Sequence, residues 1–449
     1  MLGTCRPRCH CGIVTQLPAN PPASAPPSSP LAIGEFRRFL AARFLAVFST
    51  LTVVVLLGYQ TYDVARADYG LDRPDAAFML GLLGAAQFVP IFLLTPVAGM
   101  AADRFDRRRV VLCANSVDAV IALVLATATW QDALNLPLLF ALAAAHGAAR
   151  VFNGPALAAI APNIVPPAML PRAIALSSIA WQTGTVIGPA MGGMLFGWSA
   201  SAPFFLSAAL VLVSGVLISS LPPMRARHDG PRAHPFRQIA EGFRFVTAER
   251  FLLGCITLDL FAVLMGGATA MLPVFARDIL AVGPEGLGLM RGAPAVGAAL
   301  VAALLSVRPL ERNVGVKMLW AVVGFGVATI AFALSRNFAL SLACLAVLGA
   351  ADMISVFIRS SLVQLNTPDT MRGRVSSISG LAVSASNELG ELQSGLAAAL
   401  LGAVGAVVLG GAGAIMITAL WAVIFPELRR ARTFSSKYLH EAPREEPTP

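Results

Sequence analysis

The sequence predicts an all-α membrane protein with twelve transmembrane helices in two six-helix, pseudo-symmetric halves. Three observations predict it: a shortage of charge, a series of apolar blocks of bilayer-spanning length, and an internal repeat. Of 449 residues, 57% are hydrophobic and 13% charged, about half the ~25% charge of an ordinary soluble domain. Too few charges remain to wet a soluble surface of that size. Crossing a bilayer takes about 20 mostly apolar residues in a helix, and the chain has room for twelve such blocks joined by short connections.

The first block runs from about Phe39 to Tyr62 and is followed by a polar segment with Asp63, Arg66, Asp68, Asp72, Arg73 and Asp75. The second ends near Met100, and further blocks cover about 110–130, 135–158, 173–197 and 201–221. Six more follow at about 252–275, 285–306, 317–335, 337–362, 375–397 and 403–425. The chain thus divides into a Pro-, Ala- and Ser-rich segment, 1–34, expected to be disordered, an N-terminal six-helix half, 35–221, a cytoplasmic linker, 222–250, a C-terminal half, 251–425, and a polar cytoplasmic tail, 426–449. The first segment lacks the basic-then-apolar pattern of a signal peptide. In the linker, Phe236, Ile239, Phe243 and Val246 recur at helical spacing opposite Arg237, Glu241 and Arg244. This pattern predicts an amphipathic helix lying on the membrane surface.

The repeat gives the blocks an organisation. At one offset Gly147-Ala148-Ala149-Arg150 matches Gly349-Ala350-Ala351-Asp352, Pro166, Met169 and Arg172 match Pro368, Met371 and Arg374, and Gly188 matches Gly390. A slightly larger offset sets Pro74-Asp75 over Pro284-Glu285. Spans 2, 4 and 5 therefore correspond to spans 8, 10 and 11. Parallel six-helix repeats place a substrate site near the bilayer midplane, between the halves.

The net charge of +9 is an orientation signal. With a cytoplasmic N-terminus, the inner loops hold about sixteen Lys and Arg and the outer loops about four, so both termini are expected inside. No nucleic-acid footprint is read from it. Nor is there enzymatic machinery: no Walker-type phosphate loop is present, and no Ser/His/Asp arrangement emerges from the five His. His146 is the one His inside a span, a packing or cavity-lining residue by position. Cys113, Cys255 and Cys344 sit in apolar runs as small buried hydrophobes. Cys5, Cys9 and Cys11, with His10, have no second ligand pair at zinc-finger spacing. No metal and no cofactor is expected.

Two motifs carry a resemblance. In the turn after span 2 stands Gly99-Met100-Ala101-Ala102-Asp103-Arg104-Phe105-Asp106-Arg107-Arg108-Arg109. Gly99 permits close helix approach, Asp103 suits a helix N-terminus, and the arginines suit the anionic inner leaflet. On span 5 stands Gly184-Thr185-Val186-Ile187-Gly188-Pro189-Ala190-Met191-Gly192-Gly193. Its small residues at i, i+4 and i+8 make a smooth stripe for another helix, and Pro189 adds a kink that packing must support. The first string resembles the loop 2–3 signature of the major facilitator superfamily, with a degenerate counterpart at Arg308-Pro309-Leu310-Glu311-Arg312. The second resembles the antiporter motif of its drug and metabolite exporters. Over residues 36–430 the chain is most similar to the enterobactin-exporter and drug-efflux branch, in segments such as Phe275-Ala276-Arg277-Asp278, Pro368 to Arg374 and Phe425 to Arg430. One departure is span 3, with Asn115 and Asp118 where many members place a basic residue. The resemblance implies proton-coupled export of a small amphipathic molecule such as a drug, siderophore or metabolite. It also implies a bacterial inner-membrane location, with small-molecule substrate and lipid as partners; a complete two-half unit needs no second copy to form its cavity and is expected to function as a monomer, and the charge pattern predicts no nucleic-acid partner.

Ionisable residues inside spans are costly and functional by default. They are Asp118, Arg150, Asp259, Arg291, Asp352, Arg359, Glu388 and Glu391. Arg150 and Asp352 occupy equivalent repeat positions with opposite charge. They are expected either to attract each other across the cavity when its cytoplasmic side closes, or to pair within their own halves, Asp352 with Arg359. Glu388 and Glu391 share a helix face, where two carboxylates repel and one readily holds a proton. Arg291 lies at the depth of Glu391, as partner in coupling or as a structural tie between spans 8 and 11. Asp259, about two turns into span 7, is expected to reach water. Gln87, Phe88, Trp181 and Gln182 are expected in the cavity. Two rival readings remain beside export: a proton-coupled importer, against which the span 5 motif argues, and a scaffold or sensor, for which the loops are short.

Overall fold

The computed structural model describes residues 29–434, apart from 167–168, 225–234, 309, 311 and 369–370. The N-terminal segment up to residue 28, with its Cys and His cluster, and the tail from 435 lie outside the described residues. Among the described residues there is no strand. The N-terminal half is α1 (Gly34–Ala67), α2 (Arg73–Arg104), α3 (Arg107–Trp130), α4 (Leu136–Ile164), α5 (Leu170–Trp198) and α6 (Ala202–Ser219). The linker helix is α7 (Pro235–Ala248). The C-terminal half is α8 (Arg250–Met265), α9 (Leu272–Val274), α10 (Gly283–Val307), α11 (Val314–Leu334), α12 (Phe338–Leu365), α13 (Arg372–Ile424) and α14 (Pro426–Arg430).

Local chemistry sets the helix ends. The side chains of Asp72, Asn135 and Asn337 accept from Asp75 N, Leu138 N and Leu340 N at 2.9, 2.9 and 3.1 Å, each satisfying a first-turn donor. Proline stands in the first turn of α2, α4, α5, α6 and α10, where its missing N–H costs nothing.

Among the described residues, ten helices are long and apolar enough to cross a membrane. One of them, α13, has 53 residues, about 80 Å of straight helix for a hydrocarbon core of ~30 Å. It breaks at Gly402, whose φ of 72° is left-handed and needs a residue without Cβ. Gly390 packs on Leu264 and Gly413 on Met265, although straight helix would hold the two glycines about 35 Å apart. The chain therefore doubles back at Gly402, and the predicted blocks 375–397 and 403–425 are its two legs. The predicted count of twelve then rests on α5, which is less apolar than the ten because of its Gly, Ser, Thr and Gln residues. Span 7 is interrupted rather than continuous: after Met265 come a 3-10 turn, Ala268–Met271, α9, and a π turn, Phe275–Ile279.

The repeat reappears as contacts. Gly147 of α4 abuts the backbone of Gln87 in α2, and its counterpart Gly349 of α12 abuts the backbone of Pro294 in α10. Gly188 of α5 lies on Phe48 of α1, and Gly390 lies on Leu264 of α8. Close approach through small residues is what holds helices together where lipid removes the hydrophobic drive. Along the α5 stripe, Gly184, Gly188 and Gly192 meet Val47, Phe48 and Thr52 of α1, and the Thr52 hydroxyl donates to Gly188 O at 2.8 Å beside Pro189. Gly193 turns the other way, onto Pro284 and Gly288 of α10.

All chain reversals fall at two faces, one carrying the N-terminus of α1 and the linker, the other carrying the turn at Gly402. Near the second, far face the halves are closely apposed. Gly81 meets Gly395 across α2 and α13, and Gly288 meets Pro189 and Ala190 across α10 and α5. An ion network seals the same end. Asp278 accepts from the Tyr62 hydroxyl at 2.8 Å and lies 3.3 Å from Arg73 and 3.6 Å from Arg66, while Arg277 pairs with Asp63 at 3.0 Å. Toward the terminal face, Gly154 of α4 and Gly380 of α13 have nothing within 4 Å, and Ile174 and Ile179 of α5 are exposed.

Two expectations are corrected here. The linker helix does not simply lie on the membrane surface: Val246 is buried in the C-terminal core, and Glu241 pairs with Arg374 at the start of α13 at 3.0 Å. Short chain between α7 and α8 draws the helix against its own half, although Phe243 stays exposed. The side chains of Phe236, Arg237 and Ile239 lie outside the described residues. Cys113 is exposed, not buried, because it faces an apolar groove between α3 and α4 that lipid can fill.

A Cβ at Gly188 would stand 2.7 Å from Phe48 O, whereas one at Gly380 meets nothing within 4 Å. Gly188→Leu is expected to cost about 1–3 kcal/mol by overpacking and to lower the yield and melting temperature of the purified protein. Gly380→Ala is expected to match the unaltered chain in both measurements.

Candidate functional site

A cavity of about 430 Å³ lies between the halves. Val47 and Thr50 of α1, Gln87 of α2, Arg150 and Asn153 of α4 and Trp181 of α5 line one side; Thr269, Arg291 of α10, and Asn387, Glu388 and Glu391 of α13 line the other. Arg150 is fifteen residues into α4 and Glu388 seventeen into α13, so both stand near mid-membrane, where the repeat places a site. From a floor at Gln87, Arg291 and Glu391 the cavity extends toward Leu157 and Trp181, nearer the terminal face.

The central contact is an ion pair between the halves: Arg150 Nη2 stands 3.1 Å from Glu388 Oε1. Glu388 is buried, whereas Arg150 is 41% exposed on the cavity side. Pairing across a cavity holds both charges without closing it, and the exposed guanidinium keeps donors for a ligand. Glu391, one turn on, packs against Gly84 of α2. Arg291 lies in the field of Glu391, Glu388 and Arg150, and its Nη1 donates to Thr269 O at 3.1 Å. That carbonyl is available because span 7 unwinds there, and irregular backbone at membrane depth is tolerated where it lines a cavity. The Gln182 side chain donates to Ala295 O at 3.3 Å, another tie between the halves. Trp181 lies under the Arg43 guanidinium at 5.8 Å, a cation–π contact at the cavity wall.

In this state, open toward the terminal face, Arg150 does not face Asp352; its partner is Glu388. Asp352 shares a small pocket with Asp259, Ala262, Val322 and Ser355 inside the C-terminal half. The reason is reach: the long Arg150 side chain crosses to α13, while the short Asp352 side chain stays within its own half. Arg359 pairs with Asp259 rather than with Asp352, and both partners are buried. Asp259 therefore does not open to water. Phe88 stacks on Phe92 at 5.6 Å and is not among the residues lining the cavity, whereas Gln87 and Trp181 are.

In the loop motif, Asp106 Oδ1 caps α3 by accepting from Arg108 N at 3.0 Å and also accepts from Met224 N at 3.3 Å. Arg108 donates to Ser219 O and Leu221 O at 3.0 and 2.8 Å. The motif thus fastens the end of α6 to the start of α3 within one half. The surroundings of Gly99 and the side chains of Asp103 and Arg104 lie outside the described residues, and Arg107 is engaged. Sequence reasoning missed Asn153, Thr269 and Arg43 in the site and the Asp278 network at the far face. Thr269 had no signal, being ordinary in type. Asp278 carried one, as a charge beside Arg277 at a predicted span end.

Residues 27–447 match the family described as transmembrane secretion effector. The chain is 27% identical over 346 residues to the enterobactin exporter EntS of Escherichia coli O1:K1 / APEC, covering 76% of this chain and 80% of that protein. It is 26% identical over 344 residues to EntS of Shigella boydii serotype 18, with the same coverage. Among solved structures, its fold matches a bacterial homologue of the human lysosomal transporter Spinster in an inward-facing, unoccupied conformation, with TM-score 0.66, 16% identity, and 89% of this chain and 97% of that one covered. It also matches the nucleoside transporter NupG, with TM-score 0.68, 13% identity, and 87% and 100% covered. These relatives are transporters and not enzymes, and the structural likeness concerns the fold. With a family match along nearly its whole length and two helical halves packed around a mid-membrane cavity, the chain belongs to the transmembrane secretion effector family of major facilitator secondary transporters.

Proposed function

We propose that this transporter exports a small amphipathic molecule from the bacterial cytoplasm in exchange for protons, by alternating access, as a monomer in the inner membrane with both termini inside. The observation that carries the reading is the Arg150–Glu388 pair, which joins the halves inside the cavity. A proton on Glu388 would cancel the attraction, and a substrate group at Arg150 or at the carboxylates would compete for the same charges. Either event changes the energy of one state relative to the other, which is what biases alternating access. Glu391 and Arg291 extend the charged floor, and Trp181 with the apolar wall of α1 suits an amphipathic body. Export is supported by the relatives, which are named enterobactin exporters, and inside termini by the Lys and Arg bias of the loops. In that orientation the cavity extends toward the cytoplasm and the Asp278 network stands at the outer face.

Everted membrane vesicles carrying the chain are expected to accumulate enterobactin or ethidium when energised, and to lose the accumulated probe when the pH gradient is collapsed. Accumulation by right-side-out vesicles instead would establish the importer. Probe movement indifferent to the gradient in both preparations would leave the scaffold reading.

Glu388→Gln keeps the shape and removes the charge. It is expected to reduce gradient-driven accumulation at least tenfold, about 1.4 kcal/mol or more of lost bias, while probe exchange without a gradient persists. Asp352→Asn, outside the cavity, is expected to retain gradient-driven accumulation. The opposite pattern would place coupling at the pocket shared by Asp352 and Asp259, away from the cavity.

A further inference from the structure

The N-terminal half contains a second charged site that the cavity does not use. Asp118, at the middle of α3, and His146 of α4 are 7% and 1% exposed. His146 Nδ1 stands 2.9 Å from Asp118 Oδ1. An ionised carboxylate only accepts, so Nδ1–H donates to it and the lone pair of a neutral ring sits on Nε2. That atom is buried and has no hydrogen-bond partner among the described residues.

We infer that Asp118 and His146 form a proton-binding site in the N-terminal half, taking one proton at His146 Nε2 as the transporter cycles. The balance is simple. Without the proton the pair carries one uncompensated negative charge in the membrane interior, which is costly. With it, an imidazolium faces a carboxylate and the net charge is zero. No other group at this depth supplies the missing charge. Among the elements packed around the pair, α2 has no charged residue between Asp75 and Asp103, and α6 has none at all. On α1, Arg43 is turned to Trp181. On α4, Arg150 is the only other charge, and it reaches Glu388. The neighbours are neutral: Asn115 accepts from Asn153 at 3.3 Å and donates to Ser214 at 3.2 Å.

The site has a means of acting on the cavity. Gly147, the residue after His146, abuts the backbone of Gln87, whose side chain lines the cavity with its Oε1 buried and without a partner among the described residues. His146 and Arg150 are four apart, neighbours on one helix face. Unprotonated, the pair draws Arg150 back toward its own half. Protonated, it releases Arg150 toward Glu388 and so favours the state in which the far face is sealed. Protons thereby drive the empty carrier toward the terminal-side-open state, the sense that exchange for an exported molecule requires. The inference rests on the proton-coupled reading above and adds a site to it.

The test needs no identified substrate. The full chain, freed of its native cysteines and carrying spin labels at Ala133→Cys and Arg336→Cys in the far-face loops, is reconstituted in nanodiscs, and the label separation is followed against pH. Acidification is expected to shorten it. With Glu391→Gln, which keeps the Glu388 charge that the site acts through, the shortening is expected to remain, and adding His146→Gln or Asp118→Asn is expected to abolish it. A Glu391→Gln variant that shows no shortening overturns the second site and leaves the cavity carboxylates as the proton sites. An unaltered chain with no pH response overturns both readings. A purely structural tie between α3 and α4 would lower the melting temperature of His146→Gln while leaving the pH response intact, and that outcome also overturns the inference.

Discussion

A charge carried into hydrocarbon has no water to turn to, so each must find a partner, and the location of those partners organises this molecule. The described intramembrane charges resolve into three groups. Arg150 and Glu388 meet across the central cavity, with Arg291 and Glu391 beside them. Asp259 and Arg359 pair inside the C-terminal half, next to Asp352. Asp118 and His146 pair inside the N-terminal half. Of the three, only the first spans the two halves, so inside the membrane it is the group that separating the halves must pull apart, as the Asp278 network is at the far face. The other two each lie within one half.

The second organising contact is the absence of side chains. Glycines let α5 lie against α1 and α10, and α2 against α13, at distances that any Cβ would prevent. The same device serves two purposes. Gly188 and Gly390 build the interior of each half, whereas Gly81, Gly193, Gly288 and Gly395 let the halves close on one another at the far face. The closure combines these small residues and the ion network around Asp278 with a buried apolar cluster to which both halves contribute.

Much was legible in the sequence. The blocks, the two halves, the α5 stripe and the shared face of Glu388 and Glu391 all follow from periodicity and local spacing, and the structure bears out the repeat as matching glycine contacts. The Gly402 reversal, the docking of α7 through Glu241 and the interruption of span 7 were not legible, since each depends on what another helix offers at that level. The repeat put Arg150 and Asp352 in register as a pair for the state with the cytoplasmic side closed; in this state, open toward the terminal face, they do not meet. The longer side chain found Glu388, and the shorter one stayed in its own half.

The sequence by itself determined the membrane class, the helical blocks, the duplicated halves and the list of charges that must matter, because burial in lipid limits the backbone to helices and makes every intramembrane charge conspicuous. Tertiary structure alone decided which charges meet. Partner choice between helices depends on rotation and depth set by contacts far along the chain, and a rotation of one residue, about 100° of helix, turns a cavity-facing carboxylate into the wall of its own half.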